Sequence, residues 1–116
     1  MVEVKNMHFA TSIAVLFAVK ESKGHKTLQD TYQDIGSISS FEDMLELLRV
    51  SYEKGENKRV NSEEFLMILS EEGIGFLKIT SLFNLVIEGL LYDGMDEQER
   101  AEAKKLMEAK IAQNQI

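Results

Sequence analysis

EEGIGFLKITSLFNLVIEGL (71–90) is the most apolar stretch of the chain, and its reading decides the fold. Gly73 and Gly75 flank one isoleucine at its start, and Gly89 sits near its end. Glycine inside a helix costs up to about 1 kcal/mol relative to alanine. The pair therefore reads as punctuation between helices. Gly73 stops one helix in the left-handed position that glycine takes without steric cost. Gly75 lets the chain turn tightly into the next, from about Gly75 to Tyr92, with Ile74 as a staple between them. Gly94 is the stop of that helix. No second glycine run and no lysine follow at the spacing of a phosphate-binding loop. Gly89 points to a close approach by another helix, from this chain or from a neighbouring copy.

Working outward, helix signals recur. Asn61 with Glu64 opens a capped helix with Phe65, Leu66, Ile68 and Leu69 inside. Before it, Ser39 with Glu42, or Ser40 with Asp43, starts a helix whose stripe is Phe41, Met44, Leu45, Leu48 and Tyr52; Lys54-Gly55 reads as its end. Leu28, Tyr32 and Ile35 mark a short helix ended at Gly36. Asn6 reads as the cap of a helix to about Glu21, stopped by Lys23-Gly24. Phe9, Ile13, Leu16, Phe17 and Lys20 share one of its faces and Val15 and Val19 lie elsewhere, so this helix is apolar almost all round and is expected to be central. Val2 and Val4 give a short strand or an extended arm. Asp96 and Glu99 cap a last helix, 97 to about 113, with a thin stripe of Ala103, Leu106, Met107 and Ile111; it packs at the periphery or projects. The expectation is one all-α domain of five to six helices over 1–116, with a core at about 7–94 and a polar C-terminal helix at 96–113.

Composition narrows the function classes. The 116 residues contain no cysteine and no proline, and 44% are apolar. Disulfides and thiolate metal sites are excluded, and nothing forces a break in a long helix. The net charge of −7 argues against nucleic acid and against an anionic membrane, because phosphate binding needs clustered cations. KGENKR (54–59) is the densest basic run, and glutamate interrupts it. IAVLFAV (13–19) is too short to span a bilayer. A cytoplasmic protein is expected.

No catalytic set emerges. His8 and His25 lie in no ligand motif, and no nucleophile elbow, phosphate loop or dinucleotide fingerprint occurs. The acidic turn YDGMDEQE (92–99) complements a helix N-terminus. EKGENKRVNSEEF (53–65) has the outline of an EF-hand loop over 53–64, but Gly55 stands where an oxygen ligand is needed and Lys58 where the turn glycine belongs. No cofactor is implied.

The order of elements over 7–92 resembles the tail assembly chaperones of long-tailed (siphovirus-type) bacteriophages. Phe41, Leu45, Leu47 and Leu48 carry the first amphipathic run. Ser62, Glu63, Glu64 and Phe65 open the next helix, and Gly73, Gly75, Leu77 and Leu82 carry the glycine turn and the apolar helix. Family members often begin with a fuller β-hairpin, which the first six residues do not supply. The resemblance implies a non-catalytic helical protein that coats the tape measure protein, recruits tail tube protein and self-associates. A helical adaptor module with a degenerate EF-hand-like loop is the alternative. The expected partner-binding residues are Ile74, Phe76 and Ile79 at the glycine turn, Gly89, and Leu106, Met107 and Ile111 on the last helix. The competing expectation is that the apolar ones pack within the chain.

Overall fold

The computed structural model describes residues 1–114, the side chains of Met107, Lys110 and 111–114 excepted. Val2–Val4 (β1) and Met7–Phe9 (β2) pair antiparallel, with Val2 opposite Phe9 and Val4 opposite Met7. Six α-helices follow: α1 Ile13–Lys23, α2 Leu28–Gly36, α3 Phe41–Glu56, α4 Ser62–Glu71, α5 Ile79–Asp93 and α6 Glu97–Asn114, with one 3-10 turn, Phe76–Lys78, ahead of α5. The protein is mostly helical, as expected.

The hairpin corrects the reading of the N-terminus. Asn6 caps no helix; it lies in the two-residue turn Lys5-Asn6, where Lys5 takes φ 54°. α1 starts only after Ser12. Tertiary contact selects the strand here: Met7 and Phe9 are buried in the core between β2 and α3. The hairpin tip is clamped as well, because Lys5 Nζ donates to the carbonyl of Glu72 at the end of α4.

α3, not α1, is the central helix. β2, α1, α4 and α5 all pack on it, and α2 packs on α1. Leu47, Leu48, Val50, Ser51 and Tyr52 are buried, so α3 is covered on more than one face. In α1 the buried residues are Val15 and Val19, whereas Ile13 and Phe17 are 62% and 48% exposed. In α4, Phe65 and Leu69 are buried and Leu66 is half exposed.

Gly55 is not a helix stop. α3 continues to Glu56 and closes on Asn57 at φ 53°. A Cβ at Gly55 would lie 2.2 Å from the His8 carbonyl oxygen and 2.9 Å from the Ala10 nitrogen. Glycine is there to let β2 lie on the helix backbone. Beside it, Ser51 Oγ donates to the Ala10 carbonyl at 2.7 Å, and Ala10 N–H donates to the Ser51 carbonyl at 3.0 Å. Further along, Glu56 Oε1 accepts from His8 N–H and lies 2.9 Å from His8 Nδ1.

Several end signals hold. Ser40 accepts from Asp43 N–H, Asn61 from Glu64 N–H, and Asp96 and Glu99 cap each other. Gly73, at φ 74°, closes α4 with Gly73 N–H to Ser70 O and Ile74 N–H to Leu69 O, the paired bonds of a Schellman motif. Gly75 departs from expectation: at φ −82° with open space at its Cβ position, it needs no glycine. Gly94, at φ −82°, also ends α5 without a left-handed turn.

α6 projects. Arg100 fastens its start by bonding the carbonyls of Tyr92 and Asp93 and lying over the Tyr92 ring. Beyond that, its described residues are largely exposed. The radius of gyration is 15.2 Å, above the about 13 Å of a compact domain of this length.

Gly55→Ala is expected to destabilise by roughly 1–3 kcal/mol through backbone overlap, although the same change in an open helix would stabilise by up to about 1 kcal/mol. Urea unfolding reads the sign, with Gly36→Ala, which meets nothing within 4 Å, as the comparison.

The His8–Glu56 pair makes stability depend on pH. Bonding to Glu56 raises the His8 pKa above its ordinary 6.5, so that contribution is complete below about 6.5 and fades as pH rises through the folded value. Bonding to His8 lowers the Glu56 pKa below its ordinary 4.5, so that contribution is present above about 4.5 and is lost as pH falls through the folded value. The urea midpoint of wild type should exceed that of His8→Gln most between about pH 4.5 and 6.5, the gap closing on both sides.

Candidate functional site: an apolar trough between α1, α2 and α5

α1 and α5 both rest on α3, and α2 rests on α1. A trough is left between α2 and α5. Its walls are Leu16, Tyr32 and Ile35 on one side and Ile87, Leu90 and Leu91 on the other. It continues past Ile13 toward Thr11, Asp93 and Glu99, where the mouth holds about 480 Å³. Ile35 and Leu90 form the buried floor; Ile13, Tyr32 and Leu91 are exposed by 62%, 56% and 40%.

Local chemistry fixes these walls. Gly24, at φ 70°, closes α1 with bonds from Gly24 and His25 N–H to the carbonyls of Glu21 and Lys20, turning the chain back into α2. Thr27 Oγ1 accepts from Asp30 N–H to start α2. Lys23 then reaches across to Asp34 at 2.8 Å and to Asp43 at 3.6 Å, tying α1, α2 and α3. These carboxylates raise the Lys23 pKa against the opposing pull of burial. His25 Nδ1 lies 3.0 Å from Thr31 Oγ1 on the same side of α2. At the mouth, Thr11 Oγ1 donates to Asp93 Oδ2, while Glu99 is held in the cap of α6. The carboxylates of the mouth are thus committed to structural bonds. What the trough offers a ligand is apolar surface, suited to the face of a helix.

Among the described side chains, the residues expected from sequence do not converge. Ile74 is half-buried against the core, and Ile79 is 5% exposed. Phe76 is 68% exposed and stacks on Phe41 with ring centroids 4.5 Å apart; Leu77 beside it is 88% exposed. Gly89 lies ten residues beyond Ile79, about 15 Å along the helix axis. Its approaching group belongs to this chain: a Cβ there would sit 2.7 Å from Thr11 Cγ2 and 3.2 Å from Val2 Cγ2. Leu106 is 66% exposed on α6. Met107 and Ile111 lie outside the residues whose side chains are described. Sequence reasoning missed the trough. Its signal was the apolar surplus of 13–19, more than one buried face needs.

The EF-hand-like segment has another geometry. Residues 53–56 belong to α3, and Glu53 accepts from Arg49 at 2.6 Å and from Val60 N–H at 3.1 Å. Among the described residues no three His, Asp or Glu side chains gather to hold a metal ion. No single described helix is long and apolar enough to cross a membrane; α4 and the segment 76–93 pass that test only together, bent by 101°. Comparison with protein-family models, curated proteins and solved structures finds no match.

Ile13→Lys with Leu91→Lys is expected to shift stability by no more than about 1 kcal/mol, about 0.5 for each surface position. The same pair should cut the fluorescence of the uncharged apolar probe Nile red bound to the native protein several-fold; equal fluorescence would mean that the trough is not the exposed apolar site.

Proposed function

We propose that the chain is a tail assembly chaperone of the kind found in long-tailed bacteriophages. In this reading it is non-catalytic and self-associating. In the host cytoplasm it binds the helical tape measure protein, keeps it in solution and helps recruit tail tube subunits. The observation that carries the proposal is an open apolar trough on a helical body of net charge −7. A chaperone for helical surface needs a groove for apolar side chains and a charge that keeps the complex dispersed. The order of capped helices and the glycine turn supports the reading by resemblance. The hairpin of residues 2–9, with strands of three residues, is a shorter version of the fuller one with which family members often begin.

Co-expression with tape measure and tail tube proteins, followed by affinity capture, tests this. Wild type is expected to retain the tape measure protein, and Ile13→Lys with Leu91→Lys to weaken capture by about tenfold, roughly 1.4 kcal/mol. A folded wild-type protein that captures neither partner would overturn the proposal.

A further inference from the structure

A second recess lies beside the C-terminal half of α3, against α1. Ala18 and Val50 form part of its floor, and Arg49, Glu53, Lys54, Lys58 and Arg59 line it around a volume of about 350 Å³. Four cations against one carboxylate give the lining a charge of +3 in a chain of −7, leaving −10 for the rest. The basic run KGENKR is interrupted by Glu56, which bonds His8 yet stays near enough to Lys58 to favour its charged form.

The cations divide into two kinds. Arg49 is occupied: it bonds Glu46, Glu53 and the Val60 carbonyl, which closes the loop between α3 and α4. Lys54, Lys58 and Arg59 have no carboxylate within 4.0 Å among the described residues. Lys54 complements the last turn of α3. Arg59 lies beyond the helix and has no such role. Lys58 is held 5.3 Å from the centroid of the Tyr52 ring.

We propose that this cleft binds a short acidic segment of a partner protein, with carboxylates on Lys54, Lys58 and Arg59 and an apolar side chain over Ala18 and Val50. Charge complementarity selects the occupant. A long polyanion such as nucleic acid would run past the cleft onto an acidic surface, beginning with Glu63 and Glu64 in the first turn of α4. A short segment places its charge only where the cations are. The mixed floor and rim favour a peptide over a bare inorganic anion.

Calorimetric titration with a blocked pentapeptide of four glutamates around one leucine tests the proposal, beside its glutamine counterpart, inorganic phosphate and an oligothymidylate. The glutamate peptide is expected to bind wild type, and more weakly at about 200 mM than at about 50 mM salt. Lys54→Gln, Lys58→Gln and Arg59→Gln together should weaken it by about tenfold. Lys20→Gln, Lys26→Gln and Lys78→Gln, the same charge change elsewhere, should alter it by less than about twofold. No binding to wild type, equal binding of the glutamine peptide or equal loss in both triple variants would overturn the proposal. So would phosphate or oligothymidylate binding as tightly with the same loss in the cleft variant. Lys54 and Arg59 are exposed, Lys20 is half-buried, and Lys58 meets the core only at the Tyr52 ring, so circular dichroism of both triple variants should match wild type.

Discussion

The contact between β2 and α3 is the constraint on which the rest depends. A strand cannot lie on a helix backbone where a Cβ intervenes, and Gly55 removes that Cβ. Ser51 then turns proximity into a bond, donating to the Ala10 carbonyl while its own carbonyl receives the Ala10 N–H. Ser51 is fully buried, so either group left unpaired would cost about 1–3 kcal/mol. With β2 in place, Phe9 meets Tyr52, and Tyr52 meets Phe65 of α4, so one aromatic row joins strand, central helix and α4.

The trough follows from the same architecture. α3 is shared by β2, α1, α4 and α5, and a helix has only so much circumference. α1 carries α2 outward, and α5 stays on α3, so α2 and α5 diverge. The gap is lined by whatever apolar residues those helices hold beyond their buried faces. Ile13 and Leu91 are such residues. The acidic cap at 93–99 and the basic cleft beside the C-terminal half of α3 give the surface separate regions of opposite character.

Local signals were legible where the chemistry is local. Ser40, Asn61 and the Asp96–Glu99 pair cap helices through their own neighbours, and Gly73 and Gly24 take the left-handed turns that their positions suggest. The errors fall where distant contacts compete. Lys54-Gly55 reads as a helix end because glycine is disfavoured inside helices; its reason is His8, forty-seven residues earlier. Met7-His8-Phe9 reads as helix because three residues carry too little pattern, and only α3 makes them a strand. In α1 the choice of face depended on where α3 lies, which periodicity does not report. The trough was hidden for that reason. Its walls come from three helices, and no single stretch shows that two of them splay apart.

The placement of Val2 and Thr11 on Gly89 has a consequence for synthesis. The first eleven residues leave the ribosome before anything they bind: Ser51 and Gly55 come some forty residues later, and Gly89 and Asp93 some eighty. During translation the hairpin therefore has no platform, and Met7 and Phe9 stay uncovered until α3 emerges. Sequence-distant pairing of this kind slows folding because loop closure precedes the contacts that reward it. The strand that unites the native fold is thus made long before its platform, and the nascent chain is most open to other apolar surfaces during that wait.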